Sequence, residues 1–431
     1  MIPVPGGRYR WTVSSGRPCS GIGPLPGLAD PKRGTTASLY IHVPFCAGAC
    51  DYCDFYSIPV MPSDSRLDAY GEALLKEAQE RIQDAGLIHI PTVYIGGGTP
   101  SLLGAARMGR LLSGLGKLWD QGIQAPEEIT VEANPESAGA AFLKTCRDGG
   151  VTRLSLGIQT FHEPSRRAVH RVGDGASWQE GIRLVRDIFG TGFSGDLITG
   201  LPLQDEEILL QDLDQLLAYE PGHVSLYALT VEPGTPLDSQ ALLQKGLLPD
   251  PDRADALWIA GRDTLEQQGY KQYEVSNFSR PGMEALHNIR YWRMENWLGL
   301  GPGASATIID DAEGRGRRFT VNPDVDAYIA RHQRSSKQAA GEGVLMEALD
   351  PLTLMKETFL MGFRYRKGPD AALFRQRFGL DIAACIPQTI TQWRNRGLLE
   401  SEPLALTKAG LLFLDAFLEA AFREVEQRDA H

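Results

Sequence analysis

Three cysteines, Cys46, Cys50 and Cys53, lie within eight residues of one segment, HVPFCAGACDYCDFYS. Thiolates spaced this closely indicate a metal centre. A closed zinc site needs four ligands, and His42 would have to turn back from a predicted strand to complete one. A cubic iron–sulfur cluster normally takes four cysteines, so a cluster held by three keeps one iron open to another ligand. The spacing favours the cluster and leaves zinc as the alternative.

The cysteine segment is also rich in aromatic residues, which are expected to exclude water from a metal centre and to tune its reduction potential. These residues are Phe45, Tyr52, Phe55 and Tyr56. Simple packing of the loop is the less specific explanation, and the two are compatible.

A second segment, GGGTPS, places Gly97, Gly98 and Thr99 directly after an apolar run. Glycines let backbone N–H and C=O groups approach a ligand closely. A backbone nest of this kind suits a carboxylate or an ammonium group. The alternative is an ordinary tight turn.

The elements that must position these residues alternate regularly along the chain. Short apolar runs, such as SLYIHVPF, TVYIGGG and EITVEANP, are separated by amphipathic helical patterns, and we count six such strands up to HVSLYALT. This alternation predicts parallel strands joined by right-handed crossovers, with both faces of the strands apolar and covered. Polar and glycine-rich residues follow strand after strand, which favours a partial (β/α)6 barrel of the α/β class with its chemistry at that edge.

The chain divides into four predicted regions. Residues 1–38 are rich in Pro, Gly and Ser and predict an irregular extension. Residues 39–305 form the barrel and its extension, which ends in a loop-like segment, HNIRYWRMENWLGLGPGASA. Residues 306–346 are expected to be a linker. Residues 347–431 predict a small helical, winged-helix-like domain with an aspartate helix cap and a short hairpin, GLLESEPLALT.

Composition excludes several classes of protein. The 431 residues carry a formal net charge of −11 and only six cysteines. This balance predicts no nucleic-acid partner, even with a winged-helix-like domain, and no disulfide framework. We find no apolar run long enough for a membrane span and no secretion signal, so the expected location is the cytoplasm.

A CxxxCxxC segment after the first strand of a β/α repeat resembles the radical S-adenosylmethionine (SAM) superfamily. The resemblance implies a [4Fe–4S] cluster on Cys46, Cys50 and Cys53 whose open iron is chelated by the amino and carboxylate groups of SAM. In that superfamily one electron from the cluster cleaves SAM to a 5′-deoxyadenosyl radical. The GGGTPS segment then looks like the part that holds the methionine amino group.

The resemblance extends to the coproporphyrinogen III dehydrogenase-like branch of the superfamily. Polar residues near successive strands are similar to the SAM-contacting residues of that branch: Tyr40, Glu132, Gln159, Arg171 and Asp196. Carboxylate and amide oxygens suit the hydroxyls of a ribose, and an arginine suits the methionine carboxylate. Taken singly, each residue is better explained as an ordinary salt bridge or cap, and it is the joint pattern at successive strand ends that favours SAM contacts.

Two groups of this branch remain open. The dehydrogenases, which oxidatively decarboxylate porphyrinogen propionates to vinyl groups, have a further cysteine two residues after the third, where this chain has Phe55. The heme chaperones have the CDFYS ending, present here from Cys53 to Ser57. They also have an HNxxYW motif, present here from His287 to Trp292, but the dehydrogenases carry a related motif, so Phe55 is the better discriminator. We therefore favour a heme chaperone, with the dehydrogenase as the alternative.

A heme chaperone of this group implies heme as a third bound group, with His287 as the candidate iron ligand. A histidine satisfied by local hydrogen bonds is the alternative for His287. The implied partners are heme-accepting proteins, among them membrane-associated respiratory enzymes, and an electron donor. Whether SAM is cleaved in the function stays open.

Overall fold

The computed structural model describes residues 35–120, 122–173, 175–244, 246–334 and 343–429. The extension predicted for residues 1–38 therefore lies almost entirely outside the described residues. Within them, no helix is both long and apolar enough to cross a membrane.

The strands, in chain order, are β1 Thr35–Thr36, β2 Ser38–Val43, β3 Phe45–Cys46, β4 Ile58–Pro59, β5 Leu87–His89, β6 Thr92–Gly97, β7 Glu128–Ala133, β8 Arg153–Gln159, β9 Phe193–Thr199, β10 His223–Ala228, β11 Lys271–Gln272, β12 Asn277–Ser279, β13 Trp297–Leu300, β14 Ser305–Asp310, β15 Arg315–Val321 and β16 Val344–Leu349. The α-helices are α1 Arg66–Asp84, α2 Gly104–Trp119, α3 Ala140–Asp148, α4 Glu163–Ala168, α5 Gly175–Phe189, α6 Glu206–Leu217, α7 Pro236–Leu243, α8 Pro251–Gln267, α9 Leu286–Trp292, α10 Val325–Gln333, α11 Pro351–Gly362, α12 Ala371–Phe378, α13 Ile382–Cys385, α14 Pro387–Asn395 and α15 Leu414–Asp429.

One mixed sheet forms the main body of the described chain. Its order is β11-β12-β10-β9-β8-β7-β6-β2-β13-β14-β15-β16. The run from β2 through β6, β7, β8 and β9 to β10 is parallel throughout. Helices connect these strands in sequence, which confirms the predicted partial (β/α)6 barrel. Because the strands are parallel, their carboxyl ends meet at one edge of the sheet.

The two faces of the parallel strands differ, contrary to the expectation that both are apolar. One face carries buried apolar residues that pack with the helices, for example Leu39, Ile95 and Val131. The other face carries alternating polar residues, such as Thr92 at one end of β6 and Asp196 in β9. Side chains alternate along a strand, so a partial barrel can keep an apolar exterior under its helices and a polar interior.

Within the described residues, the expected linker, 306–346, instead contributes most of β14, all of β15 and the start of β16 to the sheet, together with the helix α10. The strands β14 and β15 pair antiparallel over six residue pairs, and β15 continues to β16. The strand β14 is buried from residue 306 to residue 309, and β15 buries Phe319 and Val321. The charged run of β15 hid this pattern, and Arg318 in it pairs with the buried Glu357 of α11.

The segment expected to be loop-like before residue 305 also has regular structure. It forms the short helix α9 and the strand β13, which pairs parallel with β2 from Trp297 opposite Ser38. These elements are seven and four residues long. Elements this short show little periodicity, and their stability comes from packing.

The C-terminal helices form a module with its own core, as predicted. Phe363, Trp393 and Phe417 pack in its centre. Asp350 caps α11 by accepting a hydrogen bond from the N–H of Thr353 at 2.8 Å, which confirms the aspartate cap. The predicted hairpin pairs Leu399 with Leu406.

Candidate functional site

The three cysteines lie on one loop at the carboxyl edge of the sheet. Cys46 ends β3, whose short pairing with β4 closes the loop. The N–H of Cys53 donates to the carbonyl of Cys50 at 3.1 Å. Burial, with the neighbouring Cys50 and Cys46, raises the pKa of the Cys53 thiol to about 12. The Cys53 thiolate therefore needs positive charge nearby, which a bound metal centre would supply.

The glycine turn after β6 packs directly against the cysteine loop. The N–H of Gly98 donates to the carbonyl of Val43 at 2.8 Å, and that of Thr99 donates to the carbonyl of Phe45 at 2.7 Å. Gly97 has a φ of +109°, and a Cβ there would lie 2.5 Å from the His42 ring. The turn therefore requires glycine, and it brings the Thr99 hydroxyl within 3.5 Å of the Cys46 sulfur.

His42 does not act as a fourth ligand in this structure. Its Nδ1 is 3.0 Å from the hydroxyl of Tyr40, and its Nε2 is 2.8 Å from the carbonyl of Tyr56. Burial lowers the pKa of His42 to about 4. Within the described residues, no three His, Cys, Asp or Glu side chains are grouped around a single-ion site.

Arg171 reaches the cysteine loop from the segment that follows α4. Its Nη1 is 3.8 Å from the sulfur of Cys50, and its Nη2 donates to Oδ1 of Asn134 at 2.9 Å and to the carbonyl of Gly157. The side chain of Gln159 lies close to Arg171 as well. A Cβ built on Gly157 would lie 3.1 Å from Nε2 of Gln159 and 3.4 Å from Nη2 of Arg171. A guanidinium beside a thiolate loop suits an anionic group of a ligand.

Two carboxyls face the barrel interior near the same edge. Glu132 accepts hydrogen bonds from the hydroxyl of Tyr94 at 2.6 Å and from the N–H of Gly97 at 3.0 Å. Burial raises the pKa of Glu132 to about 7. Asp196 accepts from the hydroxyls of Ser155 and Ser194, and burial raises its pKa as well. Their position suits hydrogen bonding to the hydroxyl or amino groups of a ligand.

Two tyrosines near the cysteine loop, Tyr52 and Tyr40, lie in different surroundings. Tyr52 packs with Val169, Ile198 and Leu201 at the barrel mouth. Tyr40 lies inside the barrel, with its ring 6.2 Å from that of Tyr94. Burial raises the pKa of both Tyr40 and Tyr52.

The structure does not bring His287 to the other predicted residues. His287 is 1% exposed and lies beside Thr92, the first residue of β6, whereas the cysteine loop contacts the last. Its Nδ1 is 2.8 Å from the Thr92 hydroxyl and its Nε2 is 3.1 Å from the Tyr291 hydroxyl. Burial lowers its pKa to about 3. In this conformation neither ring nitrogen is open to a metal.

Sequence reasoning missed two residues of the site, Asn134 and Asp51. Asn134 follows Glu132 by two positions, so the period of the strand could have placed it at the same edge. It orients Arg171 and is 3.4 Å from the Thr99 hydroxyl. Asp51 lies between Cys50 and Cys53, and no local sequence pattern predicts its hydrogen bonds to His170 and Gln240, which are distant in the chain.

A three-cysteine loop follows the first strand of the parallel barrel and packs on the glycine turn after the second strand, in agreement with the resemblance to radical SAM proteins. The Radical SAM superfamily model matches residues 40–216, and the HemN C-terminal domain model matches residues 349–413. The structure is similar to coproporphyrinogen III oxidase (HemN) from Escherichia coli, with a TM-score of 0.74, 23% identity and 90% of each chain covered. That likeness supports the fold.

Three curated proteins similar in sequence show which family within the radical SAM superfamily the chain belongs to. The chain is 31% identical to the heme chaperone HemW of Lactococcus lactis, over 85% of this chain and 91% of that protein. It is 32% identical to HemW of Escherichia coli, over 90% and 98% of the two chains. It is also 32% identical to the mouse mitochondrial radical S-adenosyl methionine domain-containing protein 1, over 85% and 77%. The chain belongs to the family of radical SAM proteins that these relatives form.

Proposed function

We propose that the protein is a heme chaperone that carries a [4Fe–4S] cluster, binds SAM and transfers heme to recipient proteins. The cluster is supported mainly by the observation that no fourth described cysteine lies near the three cysteines of the loop. Among the described cysteines, the others are Cys146 in α3 and Cys385 in α13, both buried away from the loop. A cluster on Cys46, Cys50 and Cys53 would thus keep an open iron.

The residues around the loop fit SAM at that open position. Bound there, the cluster and SAM together supply one-electron chemistry. The glycine turn from Gly97 to Thr99 would hold the methionine amino group, and Arg171 its carboxylate. Glu132, Gln159 and Asp196 would bind the polar groups of the nucleoside, while Tyr40 and Tyr52 limit the access of water.

The heme function rests on the names of the curated relatives and on Phe55, which stands where the dehydrogenases have a further cysteine. We keep His287 as the proposed iron ligand, on the strength of its motif. Ligation then requires α9 to leave Thr92, since both ring nitrogens are engaged in the described conformation. The partners of this function are heme-accepting proteins, including membrane-associated respiratory enzymes, and an electron donor in the cytoplasm.

The function is tested with anaerobically reconstituted protein. We expect four irons and four sulfides per chain, a spectral change on adding SAM, and tight heme uptake without conversion of coproporphyrinogen III. Cys50→Ser should lose the cluster, whereas the matched control Cys146→Ser should retain it. Formation of protoporphyrinogen would establish the dehydrogenase instead, and zinc in place of iron would overturn the cluster.

A further inference from the structure

We propose that Asp51 is a positioning residue, which clamps the cysteine loop to the Arg171 segment and to α7 and so sets the distance between Arg171 and Cys50. The inference rests on the proposed function, because Arg171 and Cys50 are there assigned to SAM and the cluster. It concerns a residue of the loop that is not itself a ligand.

The contacts of Asp51 join three separate segments of the chain. Its side chain is 8% exposed, and Oδ2 accepts hydrogen bonds from Nδ1 of His170 at 2.7 Å and from Nε2 of Gln240 at 2.6 Å. Its N–H donates to the carbonyl of Val169 at 3.1 Å, and its carbonyl accepts from the N–H of Leu237 at 2.9 Å. One residue thus ties the cysteine loop to the segment after α4 and to the first turn of α7.

The bond to His170 acts on the neighbouring arginine. His170 has a φ of +50°, a left-handed conformation that costs free energy in a residue with a side chain. This turn sends the His170 side chain to Asp51 while the next residue, Arg171, extends to the sulfur of Cys50. The His170 side chain is 70% exposed, but its hydrogen-bond acceptor Asp51 is buried, so the bond between them helps to hold a strained turn that orients Arg171.

The contacts of His170 with Asp51 and of Arg171 with Cys50 form a closed ring of contacts between two pairs of consecutive residues. Asp51 is bonded to Cys50 through the chain and to His170 through its side chain, and Arg171 returns from His170 to the Cys50 sulfur. Loss of the carboxylate opens this ring of contacts, and the side chain of Arg171 then keeps its hydrogen bonds to Asn134 and Gly157 while the backbone bonds of the segment remain. A small displacement of a ligand-orienting group is enough to weaken binding, because the geometry of such sites must be held closely.

The test compares Asp51→Ala with Asp51→Asn, whose amide oxygen can still accept both hydrogen bonds. In the metal-free, reduced protein, we expect Asp51→Ala to speed alkylation of Cys50 about tenfold, because the loop opens more often once both side-chain hydrogen bonds of Asp51 are lost. The rate is read by mass spectrometry of the Cys50 peptide. In the reconstituted protein, Asp51→Ala should raise the SAM concentration for half of the cluster's spectral change by about the same factor.

Asp51→Asn should stay close to the wild type in both measurements, with iron and sulfide content unchanged in every variant. Asp370→Ala is the matched control, because it removes a carboxylate that caps α12 in the C-terminal module. The proposal is overturned if Asp51→Ala matches the wild type, or if Asp51→Asn behaves as Asp51→Ala does. If the wild type binds no cluster, the proposed function is wrong. The alkylation rates of Cys50 in the metal-free protein still test whether Asp51 holds the cysteine loop in place.

Discussion

At the scale of single residues, burial and hydrogen bonding act on Glu132 in opposite directions. Burial raises its pKa, and the hydrogen bonds from Tyr94 and Gly97 lower it by less, so the carboxyl titrates at about 7. The nearby Asp196 raises the pKa further by repulsion between the two carboxylates. A carboxyl poised in this way can hold a proton or release it when a cationic ligand arrives.

The raised pKa of Glu132 predicts a pH dependence of stability. The unfolded state ionises near the ordinary value of 4.5 and the folded state near 7, so the wild type loses stability as the pH rises between them. Glu132→Gln lacks this loss, and its advantage over the wild type should grow to at most about 3 kcal/mol above pH 7. Denaturant unfolding of the metal-free protein across this range measures it. Glu72→Gln, on the exposed side of α1, should show no such trend.

At the scale of elements, α9 depends on the barrel for its stability. Seven residues are too few for a helix to persist alone. Its first N–H groups, those of Leu286 and His287, donate to the carboxylate of Glu128 at 2.9 and 3.0 Å. The His287 ring then bonds to Thr92. Two residues of the barrel, Glu128 and Thr92, thus help to hold α9 in place.

Loosening α9 tests the proposed heme ligand. Glu128→Ala leaves the first turn of α9 without its cap and should lower the free energy of unfolding by about 1–3 kcal/mol. If His287 binds heme iron once α9 opens, the same variant should strengthen heme binding about tenfold, because less free energy is then needed for opening. His287→Ala should abolish the heme absorption band while circular dichroism shows an intact fold. A folded His287→Ala protein with the full heme spectrum would remove the assignment.

At the scale of the whole molecule, a buried arginine and a buried glutamate lie near each other where the C-terminal module meets the barrel. Arg364 is 1% exposed and Glu274 is 2% exposed. Burial raises the pKa of Glu274 to about 7, and Arg364 lowers it. Backbone hydrogen bonds also join the module to the barrel at this point. Glu274 and Tyr365 form an isolated antiparallel β-bridge, and the N–H of Arg366 donates to the carbonyl of Tyr273 at 3.0 Å. The module is therefore part of the folded body and is not attached by a linker alone.

Removing one partner of this pair should be costly. Arg364→Ala removes the positive charge near Glu274, whose pKa should then rise further so that the carboxyl is protonated, and we expect a loss of about 1–3 kcal/mol in the free energy of unfolding. The double variant Glu274→Gln with Arg364→Met removes both charges and should recover most of that loss. Equal destabilisation of the single and double variants, measured by denaturant unfolding, would show that packing and not charge dominates this boundary.

Much of the barrel could be predicted because its information is local. The alternation of short apolar runs and helices gave six strands in the correct order, and the position of polar residues after those strands placed Glu132 and Gln159 near one edge. The prediction failed where elements were short or charged. The residues 306–346 were expected to be a linker, yet β14 and β15 extend the sheet. The same reasoning missed α9, which has two turns and little periodicity of its own.

The sequence by itself determined the chemistry available, namely three thiols in one loop, glycines in the next turn and an acidic, cysteine-poor composition. The tertiary structure decided which side chains meet, because contacts between distant segments leave no local pattern. Asp51 meets Gln240 across 189 residues, and His287 meets Thr92 across 195. Such pairings form only when the barrel closes and the cost of ordering the chain between them is offset by burial of its apolar exterior.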